Sequence, residues 1–149
     1  MGLVQSRWEN DECRDEDGIF FSDDTMILLA GSPVDGYQTS VRQPLQALTE
    51  ACPEGWTDID PACSVESQSL LILGGGGSCE GDGFLAVLDA ATRALIWLLH
   101  LSGVERFIEV RVDASVIFAG SAEYPFRHEW VIPLERPHDL QVRTNEATD

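Results

Sequence analysis

The chain has 149 residues, and its composition is dominated by negative charge: 26 Asp and Glu face nine Arg and no Lys, for a formal net charge of -17. A field of one sign this strong repels nucleic acid and anionic membranes and attracts cationic partners. Direct nucleic-acid or membrane binding is therefore disfavoured, and a basic protein is the expected partner. With 44% hydrophobic residues, four Trp and six Phe, the chain has the apolar content of a folded domain rather than of a disordered acidic tail.

Two further features of the sequence concern its cellular compartment. The longest apolar stretches are interrupted before they reach the roughly 18 apolar residues that a membrane-spanning helix needs. The N-terminal residues turn acidic by Glu9 and lack the basic start and apolar core of a secretion signal. We therefore expect a cytoplasmic protein. The four cysteines form no C-x-x-C pair, which favours buried free thiols over zinc ligands, with two disulfides as the alternative; they are Cys13, Cys52, Cys63 and Cys79.

The N-terminal part of the chain predicts one hairpin. Residues 1–17 form an acidic segment that we expect to be partly loop. Two apolar runs follow at residues 18–21 and 25–30, and the polar turn between them predicts a β-hairpin with an acidic tip.

The next part of the chain is rich in Gly, Pro, Ser and Asp and contains one helical candidate. This helix is predicted at about residues 41–51, where Pro44 falls near the first turn and is tolerated there. Residues 54–68 are predicted to be a loop, with Trp56 packed against the core.

The central part of the chain is the most hydrophobic. Residues 69–73 are apolar and end in the glycine run 74–77, which predicts a flexible connection. Residues 84–101 fit either a helix with a narrow polar stripe or a hairpin with a polar turn at 89–93. The β-branched and aromatic residues in this stretch favour the hairpin.

The C-terminal part predicts more strands. Residues 107–112 alternate apolar and polar and, with residues 116–119, predict a second hairpin. Short strands are expected at 129–132 and 140–142, and residues 144–149 should fray. We therefore predict a single mainly β domain, an antiparallel sandwich or partly open barrel built from hairpins with one short helix; a mixed α+β fold is the alternative.

Several features suggest chemistry, but none completes a motif. The glycine run 74–77 lacks the Lys-Ser/Thr pair of a phosphate loop, and Ser78 lacks the second glycine of a nucleophile elbow. His128 and His138 each precede a carboxylate without the spacing of zinc ligands. Residues 15–18 match the centre of a calcium loop but not its two ends. We therefore predict no catalytic residue, no metal and no cofactor.

The residues predicted to bind a partner combine local charge density with aromatic anchors. Carboxylates would steer a basic partner, and an exposed Trp beside them would hold it. These residues are Trp8, Asp15, Glu16, Asp17, Asp23, Asp24 and Trp56.

These observations predict a non-catalytic acidic binding protein. The main hypothesis is a bacterial immunity protein that inhibits its cognate toxin by occluding a basic active-site or substrate cleft. A phage-type mimic of nucleic acid that inhibits a host protein is the first alternative. A small enzyme or ligand-binding β-barrel from a high-salt organism is the alternative of another class.

Overall fold

The structure, a computed structural model, describes residues 2–77, 81–122 and 126–146. Within them the chain forms two α-helices, α1 (Leu3–Trp8) and α2 (Gln46–Ala51), and a 3-10 turn at Pro137–Asp139. The remaining elements are the strands β1 (Glu12–Arg14), β2 (Gly18–Phe21), β3 (Thr25–Ser32), β4 (Gly36–Thr39), β5 (Gln43–Pro44), β6 (Trp56–Ser67), β7 (Leu70–Gly77), β8 (Asp82–Asp89), β9 (Leu95–Ser102), β10 (Phe107–Asp113), β11 (Val116–Ser121), β12 (Phe126–Pro133) and β13 (Gln141–Glu146).

The strands form two antiparallel sheets. The larger sheet has nine strands in the order β1-β6-β7-β8-β9-β2-β3-β4, with β5 paired to β3 outside this path. The smaller sheet has the order β10-β11-β12-β13. Most neighbouring strands are joined as hairpins, and the large sheet does not close into a barrel. The predicted mainly β fold of antiparallel hairpins is therefore confirmed.

The large sheet is covered on both faces. One hydrophobic cluster fills the space between the two sheets and contains Leu85 and Val87 from β8 together with Trp130 from β12. A second cluster lies on the opposite face, where Phe84 and residues from β9 pack against side chains of α1 and the start of α2. The five apolar residues 84–88 of β8 are all at most 3% exposed, so that alternate side chains pack into different layers.

This two-sided burial explains the ambiguity of residues 84–101. A strand buried on both faces is apolar at every position, and the alternation that distinguishes a strand from a helix is lost. The region is the β8–β9 hairpin, as predicted. Its turn is held by the Asp89 carboxylate, which accepts hydrogen bonds from the Ala91 and Thr92 amides, both at 2.9 Å.

The predicted hairpins at residues 18–30 and 107–119 are also present, as β2–β3 and β10–β11. The second one has a two-residue loop in which Ala114 and Ser115 both have positive φ angles, 51° and 63°, the arrangement that matches the right-handed twist of the flanking strands. The expected C-terminal strands are β12 and β13. The latter continues to Glu146 and pairs with β12 along its length, so that the fraying predicted for residues 144–149 is wrong for residues 144–146; residues 147–149 lie outside the described part of the chain.

Two predicted loops are strands instead. Residues 56–67 form β6, which pairs with the short edge strand β1 and with β7; many of its polar residues face solvent while Ile59 is buried. The glycine run 74–77 is the end of β7, paired with β6 and β8. A Cβ at Gly74 would lie 2.9 Å from the Cys63 sulfur, and one at Gly75 would lie 2.8 Å from a ring carbon of Phe84. These glycines therefore permit close packing rather than chain flexibility.

The helices also differ from expectation. The predicted helix at 41–51 begins only at Gln46, because Gln43 and Pro44 pair with β3. Helix α1 was not predicted. Its first turn depends on a carboxylate about 20 residues away in the sequence, which is described below.

Replacing Gly75 with Ala should lower the free energy of unfolding by about 3 kcal/mol or more, because the methyl group would collide with the Asp60 carbonyl oxygen on β6 and would overpack the Phe84 ring. Urea unfolding measures the change. Ser64→Ala is the control: Ser64 is exposed on the facing strand β6, and the expected change is below about 0.5 kcal/mol. If the run 74–77 were a flexible loop, Gly75→Ala would be neutral or slightly stabilising, and that result would contradict the strand.

Candidate functional site

The structure divides the seven predicted binding residues into two groups at opposite ends of β2. Asp15, Glu16 and Asp17 precede β2, and Trp8 and Trp56 line one small cavity on that side together with Arg14. Asp23 and Asp24 follow β2 in its turn to β3. Six residues of extended chain separate Asp17 from Asp23, which corresponds to about 20 Å. The predicted residues therefore do not form one compact cluster.

The first group is built around a buried arginine. The guanidinium group of Arg14, which is 1% exposed, donates hydrogen bonds to both carboxylate oxygens of Glu16 at 2.8 and 2.6 Å. It also lies against the Trp56 ring, 4.9 Å from the centroid, and the Arg7 guanidinium lies 4.7 Å from the same centroid. Arg7 in turn pairs with Glu12 at 3.1 Å. Glu16 and Trp56 are therefore engaged within the protein.

Gly55 belongs to this arrangement. A Cβ at Gly55 would collide with the Arg14 guanidinium, and the Gly55 carbonyl oxygen accepts a hydrogen bond from the Asp15 amide at 3.0 Å. The residue before Trp56 must therefore lack a side chain if Arg14 is to reach Glu16. Sequence reasoning did not single out Arg14 or Gly55, since a single Arg in an acidic segment carries no signal of its own burial.

The other members of the first group differ in how far their side chains are already engaged in contacts within the chain. Asp17 accepts hydrogen bonds from the Ser102 amide at 2.6 Å and from its hydroxyl at 2.7 Å, which ties the start of β2 to the end of β9. Trp8 packs edge-on against Phe84, with 6.1 Å between ring centroids. Asp15 is exposed, and its carboxylate forms no hydrogen bond or ion pair with another described residue. Asp15 is thus the carboxylate of this group most open to a partner.

Further exposed carboxylates surround Asp15 on the edge of the large sheet. The pairing of β1 with β6 sets Glu12 opposite Asp58, and the alternation of β6 brings Asp60 to the same side as Asp58. We call this surface the acidic edge; its exposed members are Asp11, Asp15, Glu54, Asp58 and Asp60. Four of the five were missed because they come from two distant parts of the chain, at residue 11 and residues 54–60, that only the pairing of β1 with β6 brings together.

The second group has mainly structural contacts. Both carboxylate oxygens of Asp24 accept hydrogen bonds at 2.9 Å, from the amides of Leu3 and Val4. Asp24 therefore satisfies two of the amide groups that the start of a helix leaves without partners. This contact explains how α1 forms without an N-capping residue of its own.

Asp23 is more exposed than Asp24. Its carboxylate accepts hydrogen bonds from the Thr25 amide and hydroxyl and pairs with Arg42 at 3.1 Å. The Thr25 hydroxyl, assisted by the Arg42 charge, lowers the pKa of Asp23 below its ordinary value. The side chain nevertheless remains 60% exposed, so that Asp23 is ionised and accessible at neutral pH.

Beside Asp23 lies a feature that the sequence did not reveal. An open groove of about 470 Å³ lies at one end of the layer between the two sheets. We call it the inter-sheet groove; its apolar walls are Phe21, Leu70, Val87, Ile96, Trp97 and Leu134. These residues come from four strands and the segment after β12, which are distant in sequence, and no local pattern therefore indicates the groove.

A second cavity, of about 310 Å³, lies on the small sheet. Gly120 separates Glu109 and Glu129 there, because the three residues occupy neighbouring positions on adjacent strands. Glu129 lies 3.8 Å from Arg111 and 3.5 Å from Arg143. The cavity is thus polar, and much of its charge is neutralised internally.

Cys13 and His100 are polar side chains buried within the described part of the chain. Cys13 is 5% exposed, and burial together with the nearby Asp82 carboxylate raises the pKa of its thiol. Because the thiol stays protonated at neutral pH, Cys13 is inert as a nucleophile. His100 is fully buried; its Nδ1 lies 3.0 Å from the Glu16 carbonyl oxygen and its Nε2 lies 3.8 Å from Asp82.

The two histidines considered as metal ligands lie apart from each other. His128 is buried in β12, and His138 lies in the 3-10 turn with its Nε2 3.8 Å from an Asp139 oxygen. Across residues 2–77, 81–122 and 126–146, no group of three His, Cys, Asp or Glu side chains is placed to hold a metal ion. No helix in these ranges is long and apolar enough to cross a bilayer. Ser78 lies outside the described residues.

No protein-family model, no curated protein and no solved structure matches this chain. The function therefore has to be inferred from the charges, contacts and cavities of the chain itself.

Asp24→Ala should lower the free energy of unfolding by about 0.5–2 kcal/mol, the usual cost of removing a helix N-cap. Urea unfolding measures the loss. Asp15→Ala is the matched control, because it removes the same group from an exposed position, and the expected change is within about 0.5 kcal/mol. Equal stabilities for the two variants would show that Asp24 does not cap α1.

Cysteine reactivity tests the buried thiol. Iodoacetamide at pH 8 should modify Cys52, which is exposed, and spare Cys13, whose pKa is raised by burial. Peptide mapping by mass spectrometry distinguishes the two sites, and both should react once the protein is unfolded in urea. Rapid alkylation of Cys13 in the folded protein would contradict this environment.

Proposed function

We propose that this chain is a non-catalytic binding protein that inhibits a basic protein partner by occluding its active-site or substrate cleft. An immunity protein bound to its cognate toxin is the biological form of this proposal. Such an inhibitor needs no chemistry of its own, because a competitor that fills the cleft excludes the substrate.

The observation that carries the proposal is the pairing of the arginines with carboxylates of the same chain. Six arginines lie within 4.0 Å of a carboxylate of the same chain, so that most of the positive charge that opposes the net -17 is paired within the chain. They are Arg7, Arg14, Arg42, Arg111, Arg136 and Arg143. A basic partner that approaches the acidic edge therefore meets carboxylates with few competing cations among them.

The acidic edge suits an electrostatic approach. Its carboxylates are exposed and come from β6 and from the segments beside β1 and β6, so that they present charge over a surface rather than at one point. Exposed charges act through association rate more than through affinity, because salt screens them over about 8 Å at physiological ionic strength. The partner should therefore bind fast at low salt and more slowly as salt is added.

The decisive experiment isolates the partner and tests inhibition. The tagged chain is purified from its native cells, bound proteins are identified by mass spectrometry, and the main one is produced separately. The proposal expects a basic protein that forms a complex of defined stoichiometry and loses its enzymatic or toxic activity in that complex. A partner that keeps full activity when bound would overturn the inhibitory function. A partner that is a host nucleic-acid-binding protein would instead support the mimic of nucleic acid.

With the partner in hand, neutralising three members of the acidic edge by Asp11→Asn, Asp15→Asn and Asp58→Asn should slow association and flatten its dependence on salt. Surface plasmon resonance across a salt series gives both quantities.

The control variant removes the same amount of charge elsewhere, by Asp35→Asn, Glu66→Gln and Asp113→Asn, three exposed residues outside both predicted groups. We expect its association rate to fall less, because net charge changes equally in the two variants and only the local field differs. If association slows equally in both variants, the overall charge of the chain, rather than the acidic edge, steers the partner.

A further inference from the structure

The inter-sheet groove has the size and composition of a binding cleft. Its volume of about 470 Å³ falls within the 300–1,000 Å³ typical of ligand sites, which are mostly apolar with a few polar groups at defined positions. It lies at the open end of the sandwich, where the hydrophobic layer between the sheets reaches the surface. Phe21, Val87, Trp97 and Leu134 belong to that layer.

The floor of the groove is held in place by the core. Trp97 is 2% and Val87 is 1% exposed. The indole N–H of Trp97 donates a hydrogen bond to the Leu134 carbonyl oxygen at 3.0 Å, and this bond joins the large sheet to the segment after β12. A floor fixed in this way needs little ordering when a ligand binds.

The wall and rim of the groove are accessible. Ile96 is 40% exposed, although most large apolar residues of β9 are buried. The Arg42 guanidinium lies 3.6 Å from the centroid of the Phe21 ring. Ile96 therefore gives the groove an accessible apolar wall, and Arg42 covers one face of the Phe21 ring.

The charges at the rim indicate what the groove accepts. Asp23, Glu135 and Arg42 line it, and Arg42 is already paired with Asp23. The adjacent Arg136 pairs with Asp139 at 2.6 Å. Glu135, which is exposed, therefore leaves the rim with a net negative charge. A ligand whose apolar side chain is flanked by cationic residues is attracted to this rim. A ligand whose apolar side chain is flanked by carboxylates is repelled.

We propose that the inter-sheet groove receives one apolar side chain of the basic partner, from a segment in which Arg or Lys flanks that side chain. This inference rests on the proposed function and adds to it the point at which the partner is anchored. The acidic edge sets the rate of association, and the groove sets the rate of dissociation, since buried apolar anchors act mainly on dissociation.

Three short peptides test the groove without the natural partner. They are acetyl-Arg-Phe-Arg-amide, acetyl-Glu-Phe-Glu-amide and acetyl-Arg-Ala-Arg-amide, each titrated into the ¹⁵N-labelled chain and followed by NMR. The Arg-Phe-Arg peptide should shift the Trp97 indole N–H and the Ile96 amide, with millimolar affinity. The other two should shift these signals several-fold less, because one reverses the charge and the other lacks the apolar group.

A matched pair of variants localises the effect. Ile96→Ser should weaken binding of Arg-Phe-Arg to the groove several-fold, whereas Ile108→Ser, which alters a similarly exposed Ile on β10, should leave it unchanged. In the complex with the partner, Ile96→Ser should speed dissociation by about tenfold, and Ile108→Ser should not. Shifts equal for Arg-Phe-Arg and Glu-Phe-Glu, or none at the groove, would overturn the inference.

Failure of this inference and failure of the proposed function are distinguishable. Suppose that a basic partner is inhibited, but that the peptide causes no shifts at the groove and Ile96→Ser does not speed dissociation of the partner. The proposed function then stands, and the anchor lies elsewhere. If the peptide binds as expected but no basic partner is inhibited, the groove is a real site for basic apolar segments and the inhibitory function is wrong.

Discussion

The fold depends on the burial of the β8–β9 hairpin on both of its faces. Leu85 and Val87 point toward the small sheet, while Phe84, Ala86 and Leu88 point toward the layer formed by α1 and the start of α2. Because α1 and α2 have six residues each, they are too short to be stable without the sheet that they cover. Both outer layers therefore depend on one central hairpin, and every other element is placed relative to it.

The carboxylates serve two distinct purposes in this structure. Glu16 neutralises the buried Arg14, and Asp24 caps α1; each would be costly to lose, since a buried charge or an unpaired amide would remain. Asp15 and the other members of the acidic edge have no such role among the described contacts. Local charge density in the sequence therefore does not by itself identify an interface, because a carboxylate close to a buried cation or a helix start is part of the fold.

The acidic edge and the inter-sheet groove lie near opposite ends of β2. The two ends of β2 are about 20 Å apart, which is less than the roughly 30 Å width of an interface of about 800 Å² per partner. Asp23, at the rim of the groove, is the one predicted binding residue that lines it.

The sequence by itself determined the fold class and most hairpins, because turn residues and alternation act over a few positions: residues 18–30 and 107–119 form hairpins as their local patterns predict. It also determined the dominant charge. Only the tertiary structure decided that the glycine run is a closely packed strand, that Asp24 holds α1 and that Arg14 is buried against Glu16 and Trp56. It likewise decided the acidic edge and the inter-sheet groove. Each of these depends on contacts between segments far apart in the chain, and a local pattern carries no information about which distant residue will lie opposite.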